Sequence, residues 1–330
     1  MSILDSFSCQ CESINSKEHV LEHHVEQILR DYLQPSFKQQ TSIHPSIVKK
    51  PTLRYATQPE LHQDQPWKQQ DQLEILFSIV QSISTTDLHN HIGLILPPVL
   101  IVLDDYDPEY KKQGVIMVHA IVTKLHPSFV VRFGLDSLFL ESLFKCLTYL
   151  SDDRGRPLLR SAYPCILELI SKMEKDEQRR LALFERVLRE GVLTGFLYAG
   201  QKIKFLPILM KPIATLYQEI GIVGVQYLKA LIPTLCQTLN ISGQKPLHLL
   251  ALQSLVAIMK TCWPRIPFYH GQIMAAIAKS WYEYSEIQDQ SMCQQVKEVY
   301  KLLELICPDQ KADQEALLSF KATVFEPLFI

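Results

Sequence analysis

Three short clusters in this sequence carry the residue types that metal sites and hydrolytic centres use. They are His89-Asn90-His91, the acidic residues Asp104, Asp105 and Asp107, and Cys9-Gln10-Cys11. A nuclease with a His-Asn-His motif holds its metal between a β-hairpin and a helix, whereas His89-Asn90-His91 precede an apolar helix. A calcium-binding loop needs a glycine and a distal bidentate glutamate, which the acidic cluster lacks. The cysteine pair lacks a second ligand pair at zinc spacing. We therefore predict no catalytic residue, no metal and no cofactor.

Two further stretches carry clustered charges that a ligand or an acidic partner could use. They are the face formed by His19, Glu22, His23 and Glu26, and the run that contains Arg179, Arg180, Arg186 and Arg189. Residues three and four apart share one helix face, so the first group could ligate a metal. Glutamates are interleaved with the arginines of the second run. A solvated helix face explains both patterns, and we prefer that interpretation.

The acidic residues lie between two predicted helices, 92–103 and 108–125. Asp107 can accept from the free amides at the start of the second helix, and Pro108 has the backbone angle of a first helical position. The first helix is apolar nearly all round, which predicts an interior position. At twelve residues, and interrupted by Pro97-Pro98, it is too short to cross a bilayer, which needs about 20 apolar residues.

Further helix pairs of this kind follow along the chain. Their turns lie near residues 105, 153, 200, 243 and 287. Two-helix repeats of about 40 to 47 residues are typical of the HEAT class, in which each pair covers the apolar face of the next. The predicted fold class is all-α, an α-solenoid of HEAT-like antiparallel helix pairs.

The chain divides into three predicted regions. Residues 1–34 form an N-terminal amphipathic helical arm, residues 35–66 a flexible connector rich in polar residues and proline, and residues 67–330 the solenoid. The connector has no apolar period long enough for a helix. The apolar C-terminus, which includes Phe329, must fold back onto the solenoid or dock on a partner, since end repeats normally have a polar outer face.

Composition limits the classes of partner. The 330 residues are 47% hydrophobic and 21% charged, with a net charge of −2. Such a chain has no overall basic field for nucleic acid. The eight cysteines are scattered and mostly lie in apolar runs, which indicates free thiols in a reducing compartment. No signal peptide is visible at the N-terminus. We expect a cytoplasmic or nuclear protein that binds neither nucleic acid nor membranes.

Two motifs resemble those of a known family. The first is Leu103-Asp104-Asp105-Tyr106 with Lys111, Lys112 and Gly114, next to the helix that contains Ile95-Leu96-Pro97-Pro98; the second is Cys262-Trp263-Pro264-Arg265-Ile266. Together with the repeat layout they are similar to the family of Tel-two-interacting protein two, from about residue 70 to residue 330. The N-terminal third carries no recognisable resemblance.

The resemblance implies a non-enzymatic scaffold subunit of the Triple T complex. Its implied partners are Tel-two and Tel-two-interacting protein one. That assembly is a co-chaperone adaptor that acts with the heat-shock chaperone in the maturation of phosphatidylinositol-3-kinase-related kinases, and so supports DNA-damage and growth signalling. This chain is shorter than other family members.

Seven residues are candidates for partner contact: Asp104, Asp105, Tyr106, Lys111, Trp263, Arg265 and Phe329. Tryptophan and arginine are enriched at binding hot spots. Alternatively, Trp263 wedges between two helices and Arg265 pairs locally. Two other functions stay open: a HEAT-repeat transport or phosphatase-regulatory adaptor, and a metal-dependent hydrolase that uses His89, His91 and Asp104.

Overall fold

A computed structural model describes residues 24–37, 65–69 and 71–330 of the protein. Over these residues the chain forms helices and no β-strand. It divides into two compact units, Met1–Ser142 and Leu143–Ile330. Within each unit, helices that follow one another in sequence pack together as antiparallel pairs. This confirms the all-α fold class, with the helix pairs of an α-solenoid.

The first unit begins, in its described part, with one helical segment at 25–37. This segment consists of Val25–Gln27, the π-helical Ile28–Leu33 and Gln34–Phe37. The remaining helices are Pro66–Gln69, Gln72–Ser82, Thr85–Leu103, Pro108–Lys124, Pro127–Arg132 and Leu135–Cys146, the last of which continues into the second unit. The helix predicted to end near residue 34 therefore extends through Pro35 to Phe37. Its buried side chains Leu29, Leu33 and Phe37 pack against other helices of this unit. The predicted arm before residue 24 lies outside the described residues.

Helix Thr85–Leu103 differs from the predicted one in length and burial. Ser84 caps it by accepting from the Asp87 amide at 3.1 Å, so His89-Asn90-His91 are helical rather than part of a loop. Pro97 and Pro98 lie inside this helix and do not end it. Pro97 and Gly93, the residue four positions before it, are both exposed. Within residues 92–103 one face is buried and only Gly93 and Pro97 are exposed, so the predicted interior position holds for one face and the opposite face is half-buried.

In the part of the chain that the structure describes, two stretches, Thr85–Leu103 and Leu206–Thr238, are long and apolar enough to cross a membrane by length and composition. The argument that the first is too short is therefore wrong, since it has 19 residues. The second is not one straight helix, because helix Ile213–Ile220 ends at Gly221, whose φ is 55°. The core helix of a soluble protein can be equally long and apolar, so length and composition alone do not show a membrane span. The absence of a membrane role stays a prediction.

The second unit consists of helix pairs whose turns lie close to the predicted positions. Its helical segments are Gly155–Met173, Glu177–Arg186, the π-helical Val187–Leu193, Thr194–Ala199, Leu206–Met210, Ile213–Ile220, Gly221–Tyr227 (3-10), Leu228–Thr238, Lys245–Thr261, Trp263–Tyr269 (3-10), His270–Glu286, Gln290–Ile306 and Lys311–Phe329. The last helix contains one non-helical residue, Lys321.

Two lysine side chains bond backbone carbonyls about one repeat away: Lys124 at the carboxyl end of helix Gln72–Ser82, and Lys202 in the turn before helix Gly155–Met173. Lys124 Nζ lies within 3.0 Å of the carbonyl oxygens of Val80, Gln81 and Ile83. Lys202 Nζ donates to the carbonyls of Leu150 and Ser151 at 2.9 and 2.8 Å. The last carbonyls of a helix have no partner within the helix, so a cation there both bonds them and opposes the helix dipole.

The buried thiols predict a loss of stability in alkali. Burial raises the pKa of Cys236 to about 12, and burial also raises the pKa of Cys165. The folded state therefore keeps protons that the unfolded chain loses above pH about 8.5. We expect the thermal midpoint to fall as the pH rises from 8.5 toward 11 on this account. The double variant Cys165→Ala/Cys236→Ala should show a shallower decline, and parallel curves for the two proteins would refute the assignment.

Candidate partner-binding site

The acidic turn, residues 104–107, connects helix Thr85–Leu103 to helix Pro108–Lys124. Asp107 Oδ1 accepts from the Glu109 amide at 2.9 Å, and Pro108 is the first helical residue, which confirms the predicted cap. Asp105 Oδ1 accepts in turn from the Asp107 amide at 2.8 Å. Because two carboxylates bond amides of the turn and the helix start, the backbone of the turn is held in one conformation.

Asp105 also forms a buried ion pair that local sequence does not show. Its side chain is 1% exposed, and its Oδ2 lies 2.5 Å from Lys68 Nζ. The same Nζ lies 5.1, 4.7 and 4.6 Å from the ring centroids of Trp67, Tyr106 and Tyr110. Aromatic faces attract a cation, and the carboxylate neutralises it. We call these five residues the Lys68 cluster; it attaches helix Pro66–Gln69 to the acidic turn.

Lys111 and Asp104 also bond within the first unit. Lys111 is 4% exposed, and its Nζ donates to the Leu103 carbonyl at 2.7 Å, where it caps the preceding helix. Asp104 is exposed, and its Oδ1 accepts from Ser142 Oγ at 3.3 Å. We therefore assign Lys111 and Asp105 to the architecture of the turn. Partner contact stays a prediction for the exposed residues Asp104 and Tyr106, of which Tyr106 is 61% exposed.

In the second unit, the segment Trp263–Tyr269 displays aromatic rings to solvent. Ile266 is fully buried and anchors this 3-10 segment. Trp263 and Phe268, in contrast, are 60% and 74% exposed. The guanidinium of Arg265 lies 5.2 Å from the centroid of the Phe268 ring. Trp263 therefore does not wedge between helices. We call Trp263, Pro264, Arg265, Pro267 and Phe268 the Trp263 patch.

The C-terminus folds back onto the second unit. The Phe329 ring centroid lies 5.3 Å from that of Tyr300, and Leu328 is fully buried. Trp281 Nε1 donates to the Val324 carbonyl at 2.7 Å. Of the two alternatives for this apolar segment, packing on its own helices is the one seen. Partner contact by the half-buried Phe329 stays a prediction.

The arginine run at residues 179–189 has ion-pair partners of its own. The arginines pair with glutamates, as expected of a solvated face: Arg179 with Glu174, Arg180 with Glu219, and Arg186 and Arg189 with Glu190. The His89 ring lies 4.3 Å from that of Phe129. Within the described ranges, no three metal-ligating side chains converge. Cys9, Cys11 and the histidines at 19 and 23 lie outside those ranges.

Sequence reasoning missed Lys68, Tyr110 and Phe268. The i, i+4 spacing of Tyr106 and Tyr110 was a signal for a shared face. Lys68 carried no such signal, because its carboxylate partner is far along the chain. Phe268 was missed because its exposure depends on how the 3-10 segment sits on the neighbouring helices.

Comparisons with known proteins match a part of the chain that contains the acidic turn. The model of the Tti2 family matches residues 1–243. TELO2-interacting protein 2 of Rattus norvegicus is 24% identical over 221 residues, which cover 64% of this chain and 42% of the rat protein. The human protein of that name is 22% identical over 230 residues, or 67% of this chain and 44% of the relative. The matched part of the chain thus spans less than half of these relatives.

The extent of the family match corrects the resemblance inferred from the motifs in two ways. The match includes the N-terminal third, in which the sequence reading found no resemblance, and it ends before Trp263. The family match therefore covers the acidic turn and its helices but not the tryptophan motif. A family match over most of the sequence is decisive even at low pairwise identity. The chain belongs to the Tti2 family.

Proposed function

We propose that this chain is a non-catalytic scaffold subunit that binds other helical proteins and serves as an adaptor in a Triple T co-chaperone assembly. The match to the Tti2 family over residues 1–243 carries the proposal. The relatives are named for interaction with TELO2. By extension, the partners of this chain are Tel-two and Tel-two-interacting protein one. The assembly would act with the heat-shock chaperone on phosphatidylinositol-3-kinase-related kinases, in the cytoplasm or nucleus.

The surface chemistry supports a binding role. The Trp263 patch combines two exposed aromatic rings with a guanidinium, and aromatic residues and arginine are the types enriched at hot spots. Tyr106 adds an exposed ring at the edge of the first unit. Such rings give a large contact area for few frozen torsions. Binding here would form and break no covalent bond.

The proposal is tested by purifying the tagged full chain from its own cells under mild conditions. A large helical subunit of the Tel-two or Tel-two-interacting protein one type should co-purify in stoichiometric amount. A phosphatase catalytic subunit or a transport cargo in its place would refute the Triple T assignment and support another adaptor role. The recovery of the chain alone would refute the scaffold role.

The Trp263 patch gives a residue-level prediction. Trp263→Ala should weaken binding of the co-purified subunit by about 2 kcal/mol, or about thirtyfold, since truncated hot-spot aromatics cost that much. The thermal midpoint should stay unchanged because the ring is exposed. Ile287→Ala, which truncates another exposed apolar side chain of the same unit, is the matched control. Equal affinities for the two variants would show that the patch does not bind this partner.

A further inference from the structure

An apolar groove of about 400 Å³ lies on the second helices of successive pairs in the second unit. Helix Gly155–Met173 forms one side, residues 207–215 form the other, and Leu250 also lines the groove. Most of the lining is apolar and includes three prolines, at 164, 207 and 212. This groove is separate from both the Lys68 cluster and the Trp263 patch, whose residues do not line it.

The two sides of the groove carry lining residues at equivalent positions. On the first helix these are positions 159, 160, 163, 164 and 167, and on the next they are 207, 208, 211, 212 and 215. Each position of the second set is 48 after its counterpart in the first. On each side, residues four apart form a ridge along the helix. A valley between two such ridges is the shape that accepts the i, i+4 ridge of a third helix.

The two cations at the groove have no ion-pair partner among the described residues. Arg160 and Lys211 are exposed and line the groove, and no carboxylate belongs to its lining. Neither side chain forms an ion pair with any residue in the described part of the chain. The arginines at 179, 180, 186 and 189 of the same unit, in contrast, all pair with glutamates. Two unpaired cations beside an apolar valley are complementary to apolar side chains flanked by carboxylates.

We propose that this groove binds an acidic amphipathic helix of a partner protein. Leucine or phenylalanine side chains of that helix, spaced at i and i+4, fill the apolar valley between Leu159, Leu167 and Ile208. Its aspartates or glutamates pair with Arg160 and Lys211 at the rim. This is the helix-in-groove mode of peptide recognition, in which apolar anchors give affinity and charges select the partner. The proposal does not depend on which assembly the chain joins.

The test uses the full chain and three labelled synthetic peptides of about four helical turns. The first carries leucines at i, i+4, i+8 and flanking glutamates; the second has lysines in place of the glutamates; the third has alanines in place of the leucines. Binding is followed by fluorescence anisotropy at low and high salt. We expect only the first peptide to bind, with an affinity that falls as salt rises. Equal binding of the glutamate and lysine peptides, or no binding of the first at about 1 mM, would overturn the proposal.

Charge reversal locates the interaction. Arg160→Glu/Lys211→Glu should weaken binding of the glutamate peptide about tenfold and allow the lysine peptide to bind, since both rim charges change sign. Lys229→Glu/Lys260→Glu makes the same change in net charge at exposed lysines outside the groove and is the matched control. All four side chains are exposed, so the fold should survive, which circular dichroism checks. A control variant that weakens binding as much as the groove variant would refute this location.

Discussion

Replacing Asp105 with alanine is expected to lower the free energy of unfolding of the first unit by about 3 kcal/mol or more. The change leaves Lys68 largely buried without its counter-ion and removes the acceptor of the Asp107 amide. Buried charges that lose their partner typically cost about 3 to 5 kcal/mol. The loss should appear in urea denaturation and as faster hydrogen exchange at the amides of residues 85–124.

The neighbouring residue and the ion partner provide the controls. Asp104→Ala removes one long hydrogen bond from an exposed carboxylate and should cost less than about 1 kcal/mol. The double variant Lys68→Met/Asp105→Leu should be more stable than Asp105→Ala, because replacing both charges by apolar groups leaves none unpaired. If Asp104→Ala and Asp105→Ala cost the same, the Lys68 cluster does not hold the turn.

Gly114→Ala should destabilise the first unit by about 3 kcal/mol, at the upper end of overpacking costs. A methyl group on Gly114 would lie 2.5 Å from the Cα and 2.6 Å from the backbone nitrogen of Leu103. Backbone atoms cannot move aside as a side-chain tip can, so helices Thr85–Leu103 and Pro108–Lys124 must separate. Denaturant unfolding of the purified chain measures the change.

Gly93→Ala is the matched control, and its effect has the opposite sign. A methyl group at Gly93 meets nothing within 4 Å, and the residue lies inside a helix. Alanine there should stabilise the helix by about 0.5 to 1 kcal/mol, since glycine loses more backbone entropy on folding. Because both variants replace glycine by alanine, their comparison separates the stability lost through close helix packing from the stability gained through helix propensity. Stabilisation by both would show that the helices do not approach as closely as described.

These variants bear on function because the predicted contact residues fall into two groups. Asp105 and Lys111 are buried and stabilise the acidic turn, whereas Tyr106 and Trp263 present most of their surface to solvent. Loss of partner binding in Asp105→Ala could therefore reflect an unfolded turn. Loss of binding in Trp263→Ala cannot be explained in that way, because its ring packs little against the protein. The exposed residues are the informative positions for partner mapping.

Features that depend on residues close in sequence were predicted well. The N-cap at Asp107, the helix start at Pro108 and the turns between helix pairs were all found. The errors arose where neighbours from elsewhere in the chain decide the outcome. Pro97-Pro98 looked like a break, but the helix continues through both prolines. Likewise, a tryptophan beside a proline indicated inter-helix packing, although its ring lies in solvent.

By itself, the sequence determined that the chain forms repeated helix pairs and where the helices turn, because helical periodicity and capping act over about four residues. Only the tertiary structure decided that Lys68 reaches Asp105, that Lys111 caps another helix, and that equivalent faces of successive helices form a groove. Burial and ion pairing depend on distances between residues remote in sequence. Such distances are set when the helices pack, so no local pattern encodes them.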